Sequence, residues 1–115
     1  MKNNEKIVPY IGFFQIQIDI PACRSVKERR QVIRSLIDKI RRRWNVSALD
    51  LGPENRWDQA YIAFSLVGNS YGMCKDRIEI IKNFIEREED MAAFTIIHFW
   101  QEVDAYDELS NAESE

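Results

Sequence analysis

Two different hydrophobic periods follow one another in 11-IGFFQIQIDIPACRSVKERRQVIRSLIDKIRRRW-44, and they decide the fold. Apolar and polar residues alternate over 11–20, the period of two that is typical of a strand with one buried face. Pro21 ends this strand. From Ser25 the apolar residues recur at helical spacing, and Glu28 three residues later completes the pattern of a helix capping box. The stretch therefore predicts a strand followed by an amphipathic helix of about 18 residues.

The rest of the chain continues this alternation of strands and helices. Residues 46–51 predict a second strand, a Gly-Pro turn follows, and residues 57–68 predict a third strand. A second helix begins after Ser70 and is broken by the charged run 86–90, and residues 94–103 form the fourth strand. The order β-α-β-β-α-β predicts an α+β ferredoxin-like sandwich, a four-stranded antiparallel sheet with two helices on one face.

Length and composition place this fold in one domain of a soluble protein. The chain has 115 residues, 45% of them hydrophobic, which suits a single core. We expect the domain to span residues 7–103, with flexible tails at 1–6 and 104–115. No apolar run approaches the roughly 20 residues of a membrane span, and Met1 to Glu5 does not resemble an export signal. We therefore expect a cytoplasmic protein with no membrane partner.

Few residues offer the chemistry of a catalytic or metal site. Cys23 and Cys74 lie far apart without close-spaced partners, which argues against a zinc site and against a disulfide-rich secreted module. His98, the single histidine, falls within an apolar strand, where it is expected to pack or to lie in an interface. We expect no enzyme activity, no catalytic residues, no metal, no cofactor and no small-molecule substrate.

Charge is distributed unevenly along the chain. The net charge is −3, yet the segment 24–43 carries nine Lys or Arg against two acidic residues. The segment 86–115 contains ten acidic residues and a single arginine. Such an asymmetry points to an interaction surface more than to a fold.

The basic segment also carries a resemblance to a known family. The run IDIPACRSVKERRQVIRSLIDKIRRRWNVS, residues 18–47, resembles the pattern of the YlxP-like family, small bacterial proteins of unassigned function. The resemblance extends through 57-WDQAYIAFSLVGNS-70 and the second helix. It implies a ferredoxin-like fold. It also implies a link to translation, because genes of this family are often found among those for translation initiation and ribosome maturation factors.

On a helical wheel the basic residues of the first helix form a stripe beside its apolar face. Lys27, Arg30, Arg34 and Arg41 fall within about 60° of one another, next to the arc of Ile33 and its apolar neighbours. We expect this surface to bind RNA or a ribonucleoprotein. The full set of predicted anion-binding residues is Arg24, Lys27, Arg29, Arg30, Arg34, Arg41 and Arg56. A plain solvated helix face, with cations complementing the dipole of the helix C-terminus, is the structural alternative.

Two other functions fit the same residues. The topology brings Arg24 and Lys27 towards Arg56 at the N-terminus of the first helix, an arrangement that suits an anion. Acylphosphatases share this topology and bind an anion after their first strand, but PACRSVKERR lacks their glycine-rich loop. The other function is a protein-protein adaptor whose basic helix meets an acidic partner.

The open face of the sheet is expected to carry aromatic residues. Phe13, Trp57 and Tyr61 are predicted to point away from the helices, and the fourth strand is apolar on both sides. An exposed apolar patch of this kind is typical of a protein interface. We therefore predict a homodimer, with Phe13, Tyr61, Ile97 and Phe99 in its interface. Base stacking on these aromatics, as in RRM domains, is an alternative use of this face.

Overall fold

The computed structural model describes residues 7–91 and 93–107, and its elements follow the predicted order. All neighbouring strands are antiparallel, in the order β2-β3-β1-β4. This confirms the ferredoxin-like α+β fold. The expected tails at 1–6 and 108–115 lie outside the described residues. The elements are β1 (Tyr10–Asp19), α1 (Val26–Arg43), β2 (Ser47–Gly52), β3 (Gln59–Gly68), α2 (Tyr71–Glu89) and β4 (Thr95–Ala105).

One core lies between the sheet and the two helices. The alternating residues Phe14, Ile16 and Ile18 of β1 are fully buried, and the Phe14 ring stacks on Phe64 of β3 with 4.6 Å between centroids. We call this side of the sheet the helix face and the other side the open face. The helices contribute Ile33, Leu36, Ile40, Cys74, Ile78, Ile81, Phe84 and Ile85 to the same core. Burial of these apolar side chains is the main stabilising term of the fold.

Both helices begin at a serine cap. The Ser25 hydroxyl accepts a hydrogen bond from the Glu28 N–H at 3.1 Å, as the capping pattern predicted, and Ser70 does the same for Met73. The end of α2 differs from the prediction, because the charged run 86–90 continues the helix to Glu89. Glutamate and arginine are good helix formers, and a charge run therefore does not end a helix whose preceding turn is buried.

A bulge in β4 changes which side chains face the helices. Gln17 of β1 lies opposite His98, whereas Ile18 lies opposite Ile96, so Ile97 has no partner on β1. Simple alternation predicts Phe99 on the open face, but its ring packs on the helix face, 5.7 Å from that of Phe14. The prediction that places Phe99 on the open face is therefore wrong. His98 and Ile96, which simple alternation would put on the same side, lie on opposite sides of the sheet.

Two strand boundaries also differ from the prediction. β4 continues to Ala105, so residues 104–105 belong to the sheet and not to a tail. Trp57 precedes β3 and lies in the loop after β2, half-exposed, instead of on the open face of a strand. Among the residues that the structure describes, neither helix is both long enough and apolar enough to cross a membrane.

The contact between β3 and α2 leaves no room for a side chain at Gly68. A Cβ atom added there would lie 2.7 Å from Cys74 Sγ and 3.2 Å from Met73 Sδ, and Cys74 is fully buried. We expect Gly68→Ala to lower the free energy of unfolding by about 1–3 kcal/mol, measured by urea denaturation. The matched control is Gly72→Ala in the first turn of α2, where an added Cβ meets nothing within 4 Å. This control should be neutral or stabilising by up to about 1 kcal/mol, and equal effects at both positions would contradict the packing.

Candidate nucleic-acid interface

One flank of α1 packs against α2. Lys39 Nζ donates to Glu88 Oε1 at 2.8 Å, and the Arg43 guanidinium lies 4.5 Å from the centroid of the Phe84 ring. Trp44 meets the same ring edge to face at 5.4 Å. These contacts use two of the nine cations of segment 24–43 inside the protein, so Lys39 and Arg43 are less free to bind a partner.

The opposite flank of α1 carries the predicted stripe. Lys27, Arg30, Arg34 and Arg41 are all exposed and lie on the side of α1 away from α2, towards the edge strand β2. Arg30 is near enough to Asp50 of β2 for its charge to contribute to the lowered pKa of that carboxyl. The 14-residue separation of Lys27 and Arg41 gives a length of about 21 Å. Within residues 7–91 and 93–107, none of these four cations, which we call the basic stripe, forms an ion pair.

Arg29 does not belong to this surface, although it was predicted to bind anions. Its side chain is only 2% exposed and points between α1 and the sheet. The guanidinium donates from Nη1 and Nη2 to the two carboxylate oxygens of Asp50, both at 2.9 Å, and from Nε to the Gln59 carbonyl at 2.8 Å. A buried arginine whose donors are used in this way is a structural residue, and its assignment to the binding site was wrong.

Asp50 is the partner that sequence reasoning missed. It lies opposite Ile62 on the helix face of β2, whereas its neighbours Leu49 and Leu51 are exposed. Burial raises the pKa of Asp50, but hydrogen bonds from Arg29 and from the Gly52 N–H outweigh burial and lower the pKa below its usual value. The sequence contains one signal for this pair, an acidic residue at an inward position of a strand. A carboxylate that is buried in this way needs a cation beside it.

Arg24 and Arg56 lie at the end of the sheet where β1 leads into α1. The Ile20 N–H donates to the Asp58 carbonyl at 2.8 Å, which holds the loop of Arg56 at this end, as predicted. Arg56 is exposed and pairs with Asp58 at 3.1 Å, and their hydrogen bond raises the pKa of Arg56 and lowers that of Asp58. Its charge is thus partly compensated, and it makes a weaker anion ligand than the stripe.

The turn before α1 already uses two of its amide groups. The Arg24 N–H donates to Glu28 Oε1 at 2.8 Å, and the Glu28 N–H donates to the Ser25 hydroxyl. The acylphosphatase analogy needs free donors at this turn, and these two are engaged within the helix cap. The hydrolase alternative stays a prediction without support from this geometry.

The open face carries an aromatic cluster centred on Trp100. The rings of Tyr61 and Trp100 stack across β1 at 6.5 Å, and His98 lies 5.3 Å from Trp100. Phe13 and Ile97 are about 40% exposed on or beside the same face, and Phe13 lies opposite Glu102 of β4. Because α1 lies on the other side of the sheet, the aromatic cluster and the basic stripe form two separate surfaces.

The remaining reactive side chains form no centre in the described residues. Cys23 and Cys74 are free and buried, and burial raises the pKa of the Cys74 thiol. Cys74 Sγ donates to the Tyr10 carbonyl at the start of β1, whereas Cys23 follows its end, so the two sulfurs lie too far apart for a disulfide, as predicted. Across residues 7–91 and 93–107, no three His, Cys, Asp or Glu side chains converge as metal ligands.

The region that contains the basic stripe matches the model of a known protein family. The family described as "Protein of unknown function (DUF503)" matches residues 11–97, which include all of α1 and the sheet as far as the bulge of β4. The chain is also similar to "Uncharacterized protein YlxP" of Bacillus subtilis (strain 168). The two are 24% identical over 76 residues, 66% of this chain and 83% of that protein.

The Arg29–Asp50 pair can be tested by removing one partner. Arg29→Ala leaves the Asp50 carboxylate without its cation in a partly buried position, and we expect the free energy of unfolding to fall by about 3 kcal/mol or more. Arg34→Ala, an exposed arginine of the same helix, should change it by less than about 0.5 kcal/mol. Urea denaturation of both variants measures the difference. An equally small effect of both would show that the buried pair does not hold α1.

The same pair predicts a dependence of stability on pH. Because the pKa of Asp50 is lower in the folded protein than in the unfolded chain, its contribution is present above the unfolded value of about 3.9 and is lost as the pH falls through the folded value. Between about pH 5 and pH 2, the parent should therefore lose stability more steeply than Asp50→Asn. Parallel denaturation curves of the two proteins across this range would contradict the prediction.

Proposed function

Since the chain belongs to the DUF503 family of proteins of unknown function, we propose from its geometry that it binds structured RNA, or a ribonucleoprotein surface, through the basic stripe. The observation that carries this proposal is the alignment of Lys27, Arg30, Arg34 and Arg41 on one exposed flank of α1. A row of about 21 Å matches the length of several successive phosphates along one nucleic-acid strand.

The charge of the whole protein supports a local binding site. A net charge of −3 gives no general attraction to nucleic acid, so binding must depend on the segment where the cations gather. Four arginine or lysine side chains on a rigid helix can contact phosphates without reorganising the backbone. The attraction should be strong at low salt and should fall steeply as salt rises.

The separation of the two surfaces favours structured RNA over single strands. Single-strand binding commonly combines cations with aromatic rings on which bases stack. Here Tyr61 and Trp100 lie on the open face, away from the basic stripe, so the stripe offers contacts to phosphates and no aromatic ring on which a base could stack. Contacts of this type position a protein on a folded RNA backbone and give little sequence preference.

The proposal describes a binding protein and assigns it no catalytic step, cofactor or small-molecule substrate. Ribosomal RNA is the first candidate ligand, because the resemblance to the YlxP-like family implies a link to translation. A cytoplasmic location is part of this proposal. Homodimerisation through the open face also stays a prediction, with Phe13, Tyr61 and Ile97 as the predicted interface residues that lie on or beside that face.

A protein-protein adaptor is the second candidate, and the exposed aromatic cluster favours it. Trp100 is 45% exposed beside Tyr61, which is the type of side chain that anchors protein interfaces. In this case the basic stripe would meet an acidic protein. A mixed protein interface would depend less steeply on salt than phosphate binding does.

The test is binding of the parent and two matched variants to total ribosomal RNA and to ribosomal subunits across a salt series. The first variant replaces Lys27, Arg30, Arg34 and Arg41 by Ala. The control removes four cations from other places, with Arg42, Lys75, Arg77 and Arg87 replaced by Ala. We expect the parent to lose about 0.7–0.9 log units of affinity per log unit of salt for each phosphate contacted, and the stripe variant to lose most of this slope.

The control variant distinguishes binding by the basic stripe from a general effect of the protein's net charge. It should keep the salt slope of the parent, because its net charge equals that of the stripe variant but its basic stripe is intact. If both variants lose binding equally, or if the parent does not bind RNA at low salt, the proposal is wrong. A shallow salt slope together with retained binding to subunits would instead favour the adaptor.

A further inference from the structure

The sheet has two edge strands, and β2 is protected against pairing with another copy. It is only six residues long, its register with β3 shifts between Asp50 and Gly52, and Asp50 points inward to Arg29. Short strands, bulges and inward charges are the devices by which sheet edges avoid each other. The basic stripe lies beside this edge, so two copies meeting at β2 would also bring two rows of cations together.

The other edge, β4, has a bulge at Ile97 but lacks the remaining protections, since it is long and carries no charged side chain on the helix face. It is 11 residues long and contains neither proline nor lysine, and its exposed residues include Ile97 at 40% and Trp100 at 45%. One side of β4 pairs with β1, and no strand of residues 7–91 and 93–107 pairs with its other side. The Ile96 N–H is already engaged by Glu89 Oε2 at 2.7 Å, so the part of β4 after the bulge is the part left to pair.

We propose that the protein forms a homodimer in which the β4 strands of two copies pair antiparallel about a two-fold axis at Trp100. This register places Trp100 opposite the partner's Trp100, and His98 opposite the partner's Glu102. Aromatic side chains directly opposite each other stabilise antiparallel strands, and the His98 ring can donate a hydrogen bond to the carboxylate opposite it. Moving the axis to Glu102 would place two carboxylates opposite each other, which disfavours that register.

Hydrogen bonding between side chains favours β4 over β2 as the contact. Around the proposed axis, the His98 ring can donate a hydrogen bond to the partner's Glu102, whereas two copies meeting at β2 would bring only cations of the stripe together. On the helix face, Phe99 would lie opposite the partner's Gln101, which is uncharged, so this pair adds no repulsion to the contact. The contact is isologous, so each copy offers the same residues to the other and the assembly closes as a dimer.

The dimer gives the two basic stripes a defined separation. Pairing at β4 joins the sheets into one of eight strands, with β2 and its stripe at each outer edge. Seven spacings of about 4.8 Å between adjacent strands put the outer edges about 34 Å apart. This contact does not depend on RNA binding, but it leaves both stripes free and would allow one dimer to hold two separate segments of a folded RNA.

The oligomeric state of the full chain tests the proposal. Sedimentation equilibrium of the parent over a range of concentrations should show a monomer-dimer equilibrium. Gln101→Lys should raise the dissociation constant at least about tenfold, because a lysine on an edge strand opposes pairing and the new cation would meet the partner's Lys82, which lies 5.0 Å from the Phe99 ring. Circular dichroism should show that this variant is folded, since Gln101 is exposed.

Two lysine controls distinguish the strand edge from other surfaces. Leu49→Lys changes an exposed residue of the opposite edge, and Phe13→Lys changes the open face away from the axis. Both should dimerise like the parent. A parent that stays monomeric at the highest concentration would overturn the proposal. So would a Phe13→Lys variant that dissociates while Gln101→Lys does not, because the open face would then be the contact.

The register has a test of its own. In an antiparallel pair, residues directly opposite each other are close enough for a disulfide, and the native thiols are buried. Under mild oxidation, Trp100→Cys should therefore give a covalent dimer, and Leu49→Cys should not. A Trp100→Cys variant that dimerises in solution without becoming cross-linked would overturn the two-fold axis at this residue.

Discussion

The ion pair between Arg29 and Asp50 fixes the position of α1 on the sheet. Its two hydrogen bonds of 2.9 Å, with a third to the Gln59 carbonyl, connect the first turns of the helix to β2 and β3. A bidentate pair sets orientation as well as distance, which apolar contacts do not. Once Arg29 is held inward, the helical period places Arg30 and Arg34 on the flank beside β2. The exposed stripe therefore depends on a buried arginine of the same helix.

The two flanks of α1 have different physical roles because their neighbours differ. On one side α2 provides Glu88 and the Phe84 ring, which engage Lys39 and Arg43 within the protein. On the other side β2 is the last strand, and its one acidic residue near the helix is already paired with Arg29. Cations on this side therefore have solvent, and not a carboxylate, in front of them. An excess of unpaired charge of one sign is typical of a surface that binds a polyanion.

The strand edges show the same division of roles. Near β2 the chain combines an inward carboxylate with a row of like charges, whereas the part of β4 after its bulge offers main-chain groups beside aromatic side chains. If two copies pair at β4, the sheet gains area without covering the basic stripe. Binding to nucleic acid and self-association would then use opposite edges of one sheet, so that neither excludes the other.

The sequence alone determined the order of the elements, the helix caps at Ser25 and Ser70, and the stripe of α1, because each follows from local period or spacing. Tertiary structure decided the rest. Helical spacing puts Arg29 on the apolar side of α1, four residues before Ile33, but only the fold shows that Asp50, 21 residues away, lies beneath it as its partner. Phe99 changes faces because of one bulged residue, which alternation cannot reveal. Burial and register depend on neighbours distant in the chain, and for that reason only the folded protein separates the structural arginine from those that remain free to bind.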